Sequence, residues 1–263
     1  MAGDKIRLGG MALPNGVLVH GPTSWGCAVR LPDGTIKVAS ARKRVFGAGV
    51  TNPLLRGPLK LLDAFAVLPQ VKRAMPEAKL PFERPGVIGM MAASTVAVRA
   101  VRTSPELRPL VRELASGFLS LAPALAALRG GELAAYHGAE HVSIGTYEHG
   151  ERRPKEHERC GSHLVGPLLA TTAVGNVLAS RAPEQLRGPA RAVAAVGAAA
   201  ASVELFGWMT RHPDTALAKA LRRPGYELQA RVATAEPSEA QLEVAQAALD
   251  ACLAEEHGHG RAR

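Results

Sequence analysis

The chain has 263 residues, 47% of them hydrophobic and 21% charged, enough apolar material for one large folded unit and too much for a disordered tail. Aromatics are only 4% and the apolar share is mostly Ala, Val and Leu, so closely packed helices are expected rather than a core of large rings. With 32 Lys and Arg against 23 Asp and Glu, the net charge is +9, a balance that suits nucleic acid, an anionic membrane surface or a basic proteome alike.

The positive charges are scattered apart from Arg42, Lys43 and Arg44, and no aromatics interleave with them, so no nucleic-acid partner is expected. Cys27, Cys160 and Cys252 are too few and too dispersed for a disulfide framework, which points to a reducing compartment. Residues 1–8 hold Asp4, Lys5 and Arg7 and no apolar stretch, so no export leader is expected.

In chain order, residues 8–40 place Val17 and Val19, then Trp25, Cys27 and Val29, at period two, with Pro32-Asp33-Gly34 as a turn. This predicts a hairpin-rich β segment whose return strand is 35–39. A short helix is predicted over 58–68, with Pro58 in its first turn, Leu59, Leu62, Phe65 and Ala66 on one stripe, and Pro69 as its stop. After a proline-punctuated linker, 76–85, come apolar helices over 86–102 and 107–128, separated by the start signal Thr103-Ser104-Pro105. Arg129-Gly130-Gly131 breaks the chain before a helix from 132 and a charged loop, 150–160. A second apolar pair spans 163–180 and 188–210, followed by a strand candidate, 227–234. Ser238 with Gln241 forms a capping box for a last helix from Glu239, and the tail 258–263 is expected to fray.

The uncharged stretches 86–98, 114–128, 164–180 and 192–203 are at or below the roughly 20 residues of a membrane span. Hydropathy alone fits a small membrane protein and a soluble helical core equally.

Of nine histidines, five (His137, His141, His149, His157 and His163) fall between 137 and 163, among Glu140, Glu148, Glu151 and Cys160. At the centre is His137-Gly138-Ala139-Glu140-His141, the H-x-x-E-H order, in which one helical turn brings both imidazoles to one side with the carboxylate beside them. Two such nitrogens suit zinc or another divalent transition metal, and Glu140 is the candidate catalytic base. The third ligand is open among Glu148, His157, Cys160 and Glu204. Glu204 is the one charge in the apolar run 192–210, a costly placement unless the carboxylate is paired or bound; Arg191 and His212 are its alternative partners. Cys160 lies among Arg159, His157 and His163, neighbours that favour a thiolate as ligand or nucleophile, whereas a small apolar filler is the plainer role. Cys27, Cys252 and Trp25 read as core, and His257 and His259 as solvated.

The residues Tyr136-His137-Gly138-Ala139-Glu140-His141, Tyr147-Glu148 and Arg159-Cys160-Gly161 resemble the YqhQ family of bacterial proteins of unknown function. So do Gly9-Gly10-Met11-Ala12, Gly16-Val17, Gly21-Pro22 and the hairpin from Trp25 to Gly34 near the start, and Pro224-Gly225, Leu228-Gln229, Thr234 and Glu236-Pro237 near the end. The resemblance implies a multi-helix membrane protein with a β-containing N-terminal part and a metal site. It also favours a Glu204 that faces the histidine pair. Asn15 stands where the family usually has an acid, His20 where it has Arg, and Glu158 and His163 where it has Pro and Ser. Asn15 thereby removes a charge from the site and His163 adds a potential ligand.

The expected architecture is mainly α, a multi-helix, membrane-associated bundle with an N-terminal β-hairpin segment. Residues 1–52 form the β-rich part, 53–235 the helical, membrane-embedded region with the metal site, and 236–263 the C-terminal helix and tail. The expected function is a metal-dependent, zinc-type hydrolase of a peptide or lipid-linked bond, multi-pass in the cell membrane with lipid as partner and self-association left open. Its rivals are a non-catalytic helical membrane protein whose His/Cys/Glu cluster is a structural metal or hydrogen-bond site, and a soluble, cytoplasmic RNA binder.

Overall fold

The period-two stretch near the N-terminus folds into an antiparallel meander in which β1 (Gly9–Leu13), β2 (Gly16–His20), β3 (Ser24–Arg30) and β4 (Ile36–Arg42) lie in sequence order. The expected turn holds β3 to β4: Gly34 takes φ 88°, and the Asp33 carboxylate accepts hydrogen bonds from the Thr35 amide (3.0 Å) and hydroxyl (2.7 Å). The computed structural model describes residues 5–128 and 131–258 of the chain, and the protein is 65% helical. The expectations for the first four residues, for Arg129 and Gly130, and for His259 and the rest of the tail lie outside the described residues.

The helices are α1 (Pro53–Phe65), α2 (Leu68–Ala74), α3 (Pro85–Thr103), α4 (Pro109–Leu128), α5 (Glu132–His149), α6 (Val165–Ser180), α7 (Arg187–Arg211), α8 (Ala216–Leu228) and α9 (Glu239–Gly258). Both faces of the sheet are covered, as its alternation requires. Val17, Val19 and Ala28 pack on α9 and α5 through Val244, Ala248, Leu249, Tyr136 and Ala139. Leu18, Trp25, Cys27 and Val29 pack on α2 through Val67, Val71 and Met75. Cys27, Cys252 and Trp25 are buried, as expected. The start of α9 carries the predicted capping box: the Ser238 amide donates to Gln241 Oε1 (2.9 Å) and the Gln241 amide to Ser238 Oγ (3.4 Å).

The remaining helices form hairpins, α3 against α4 and α6 against α7, with α4 on α6 and α1 on α7. Polar side chains tie them across otherwise apolar faces. Ser94 donates to Leu119 O (2.7 Å), Asn176 to Glu113 Oε2 (2.7 Å), and Thr171 and Ser202 share a hydroxyl bond of 2.8 Å. Among the described residues, three helices are long and apolar enough to cross a membrane, 110–128, 161–180 and 184–211, and only 11%, 22% and 22% of their most apolar stretches is buried. Phe118, Val174 and Val193 are among the large side chains they leave exposed. The first apolar stretch of the sequence, 86–98, lies in α3, which is not among the three.

Three local expectations are corrected. The helix predicted over 58–68 begins a turn earlier, because Asn52 O accepts from the Leu55 (3.1 Å) and Arg56 (2.8 Å) amides, so Pro58 lies inside it. Pro69 stops nothing; it sits in the first turn of α2, where a missing N–H costs no intrahelical bond. Residues 227–234 form no strand: they finish α8 and open into a wide π turn, Gln229–Ala233. Ala, Leu, Lys and Arg from 216 onward favour helix, the Thr215 hydroxyl accepts from the Ala218 amide at its start (3.3 Å), and contacts to α5 hold its end.

The sheet's closest approach to a helix gives a stability test. A Cβ at Gly26 would stand 2.4 Å from Ala248 O on α9. Gly26→Val is therefore expected to lower stability by at least about 1–3 kcal/mol, measured by denaturant unfolding; an unchanged midpoint would contradict the α9 docking.

Candidate metal centre

Gly131, with φ 83°, leads into α5 and Gly150, with φ 79°, closes it, its amide bonding to Thr146 O (2.8 Å). On this helix His137 and His141 stand one turn apart with ring centroids separated by 4.3 Å. Each ring is oriented by a backbone carbonyl from another part of the chain: His137 Nδ1 lies 2.8 Å from Ala233 O and His141 Nδ1 2.6 Å from Lys155 O. A carbonyl only accepts, so Nδ1 of each ring is the donor and Nε2 is the atom turned toward the cluster. Cys160 reaches the same point from the loop after α5, its Sγ 3.6 Å from His137 Nε2 and accepting from the Ser162 amide (3.5 Å). The ligand atoms of His137, His141 and Cys160 all lie within 4.8 Å of one another.

Burial sets the protonation of these groups. It pushes the Cys160 thiol up to about 11, so the thiolate expected from the flanking sequence is not favoured by the protein alone. Burial lowers His141 well below the usual histidine value, with His137 adding to the effect. Glu140 is buried against the same cluster, one Oε 3.9 Å from His137 Nε2; burial raises its carboxyl to about 7, opposed by His137. Two imidazole nitrogens and one sulfur thus meet at one buried point. That donor set fits a borderline-soft divalent cation, whose charge would reverse the penalty on the thiolate. Backbone carbonyls on the far ring nitrogens are the usual support of metal-bound histidines.

The other proposed ligands are engaged by other partners. Glu204 is clamped by Arg56 on α1, with Nε 3.0 Å from Oε1, and not by the histidine pair, Arg191 or His212. The cost of its setting is met by an ion pair at the α1–α7 contact. His157 stands beside the group, 5.5 Å from the His141 ring, but its nitrogens are taken by Glu148 Oε2 (3.2 Å) and the Arg159 amide (3.3 Å). Glu148 also binds Arg159. His163 lies between Arg222 O (3.1 Å) and Gln229 Nε2 (3.1 Å). Asn15 holds the loop at Glu77 and Lys79. His257 is exposed, as expected.

A cavity of about 590 Å³ opens above the cluster. Its lining includes the polar residues His137, Glu140, His141, Cys160 and Arg159, the apolar residues Phe65, Phe82, Ala124 and Leu128, and Gly9 to Ala12 of β1. The residue that sequence reasoning left without a role is Gln229, fully buried in the π turn. Its Oε1 accepts from the His157 amide (2.8 Å) and its Nε2 donates to Ser162 Oγ (2.8 Å), so it pins both ends of the segment that delivers Cys160. Only its place in a dispersed motif marked it.

Gly138 tests this arrangement. Replacing a mid-helix glycine by alanine ordinarily stabilises by about 0.5–1 kcal/mol. Here the Cβ would stand 2.1 Å from Ala235 O, on the segment that supplies the His137 carbonyl, so Gly138→Ala is expected to destabilise. Thermal unfolding reads the sign.

No curated protein and no solved structure matches the chain. Residues 132–255, from the start of α5 into α9, match the family model described as "Protein of unknown function (DUF1385)". The match covers both imidazoles, Cys160 and the π turn; DUF1385 is the YqhQ family whose motifs the sequence carries, so this part of the chain is similar to that family.

Proposed function

We propose that the protein is a metal-dependent hydrolase of the cell membrane, multi-pass, with its metal held by His137, His141 and Cys160 and with Glu140 as general base. One observation carries this reading. Two imidazoles have Nδ1 turned to backbone carbonyls, which leaves Nε2 of each as the atom that can meet a cation beside Cys160 Sγ, in a cavity that also holds a buried carboxyl. Three protein ligands leave a tetrahedral cation one position for water or substrate, the mark of a catalytic rather than a structural site. A cation so held supplies Lewis acidity toward a carbonyl group or water.

The protein's own contribution is the carboxyl of Glu140. Its pKa of about 7 lets it accept a proton and return it near neutral pH. Membrane placement rests on the three apolar helices, whose long faces are largely exposed: lipid covers such surface at no cost, whereas water does not. Membrane lipid is then a standing partner.

Purified full-length protein is expected to contain about one equivalent of zinc or a related transition metal, lost in His137→Ala, His141→Ala and Cys160→Ala and kept in Glu204→Gln. Glu140→Gln should retain the metal while hydrolysis of peptide and ester substrates drops at least about a hundredfold. Metal retained by the double histidine variant would overturn the site. Release of the protein from membranes by carbonate washing would overturn integral insertion.

A further inference from the structure

The site's cavity is bounded on one side by a strand edge. β1 is the outermost strand of the sheet, with β2 as its one strand neighbour. Gly9, Gly10, Met11 and Ala12 all line the cavity. Side chains on a strand alternate between faces, and here Ala12 belongs to the α9 side while Met11 packs on the α2 side. Four consecutive residues can border one cavity only where it runs along the backbone edge of the strand. Among the described residues, no hydrogen bond joins the backbone of these four to any group but β2. Gly9 and Gly10 carry no side chain to shield the edge, and Gly10 is exposed. Such an edge presents free N–H and C=O groups to an added chain.

The edge and the chemistry are adjacent. A Cβ at Gly10 would stand 2.3 Å from Glu140 Oε1, so the carboxyl lies directly against the strand. Other helix ends give the cavity an apolar lining: Phe65 ends α1, Phe82 lies just before α3, and Ala124 and Leu128 belong to the last turns of α4. α4 contains one of the three helices fit to cross a membrane, so the groove lies at the end of a span.

Resting on the hydrolase reading above, we propose that the substrate is an extended polypeptide that adds to β1 as a further strand, its apolar side chains against Phe65, Phe82 and Leu128. A lipid chain would match the apolar wall but leave the edge of β1 facing hydrocarbon with unpaired backbone groups, a costly arrangement. A peptide satisfies wall and edge together. The reaction is then amide hydrolysis. The C–N bond breaks, the oxygen of one water bonds to the carbonyl carbon, and a water proton passes through Glu140 to the leaving nitrogen, giving a carboxylic acid and an amine.

The test uses full-length Glu140→Gln protein in lipid nanodiscs and a library of synthetic ten-residue peptides with Leu, Phe, Val or Ala at alternate positions. Bound peptides are expected to slow amide hydrogen exchange in residues 9–12. N-methylation of a peptide's backbone at alternate positions should weaken binding about tenfold per position, while N-methylation between them has little effect. Indifference to N-methylation, no protection of residues 9–12 by any peptide, or displacement of bound peptide by phosphatidylglycerol vesicles would overturn the strand site. Strand protection without peptide cleavage by wild-type protein would uphold the strand site and overturn the hydrolase reading. Ester cleavage that needs Glu140 without strand protection would uphold the hydrolase reading and overturn the strand site.

Discussion

Two carbonyl groups organise the centre of this protein. Ala233 O and Lys155 O take the Nδ1 protons of His137 and His141, and without them the rings on α5 would be free to rotate and to shift their protons between nitrogens. Each carbonyl is itself placed by long-range contacts. The Ala235 amide donates to Ala134 O (2.9 Å), laying the 233–235 segment along α5. The Lys155 ammonium reaches Ala230 O (3.1 Å), joining the loop that holds Lys155 to the π turn. The wide turn at Gln229–Ala233 therefore bends the chain to deliver a carbonyl to one histidine and a glutamine to the segment carrying Cys160, a common use of such irregular turns.

This architecture divides labour between two parts of the molecule. The sheet, α9 and α5 share one apolar core, which fixes His137, Glu140 and His141 on a regular helix, while Cys160 comes from the loop after α5. The helical hairpins expose wide apolar faces and meet that core where the ends of α3 and α4 contribute Val87 and Ala127. The cavity opens at this junction, with polar lining from α5 and the Cys160 loop and apolar lining from the ends of α1 and α4. At Gly10 the Glu140 side chain, and at Gly138 the backbone of Ala235, comes closer than any Cβ permits.

Much of the fold was legible in the sequence because its signals were local. Period-two alternation with a Pro-Asp-Gly turn marked the hairpins, and the Ser238–Gln241 pair marked the last helix. The apolar helices were legible from composition, though not whether lipid or protein covers them, since both solvents select the same residues. At 227–234 the alternation of a few residues was overridden by contacts with α5. At the site, the pair of histidines was legible from spacing alone, and Cys160 as one of several candidates. Glu204 misled because a buried charge demands a partner without naming it, and Arg56, 148 residues away, carries no local mark. Gln229 and the strand edge were beyond reach for the same reason, since their roles come from neighbours distant in sequence.

A cation held between two Nε2 atoms and one sulfur is the proposal from which the hydrolase reading follows. X-ray absorption at the metal edge of the purified protein tests it most directly. The account predicts about two nitrogen scatterers near ~2.0–2.1 Å and one sulfur near ~2.3 Å, with the sulfur shell lost in Cys160→Ser. A shell of oxygen and nitrogen alone in wild-type protein, unchanged by Cys160→Ser, would contradict it.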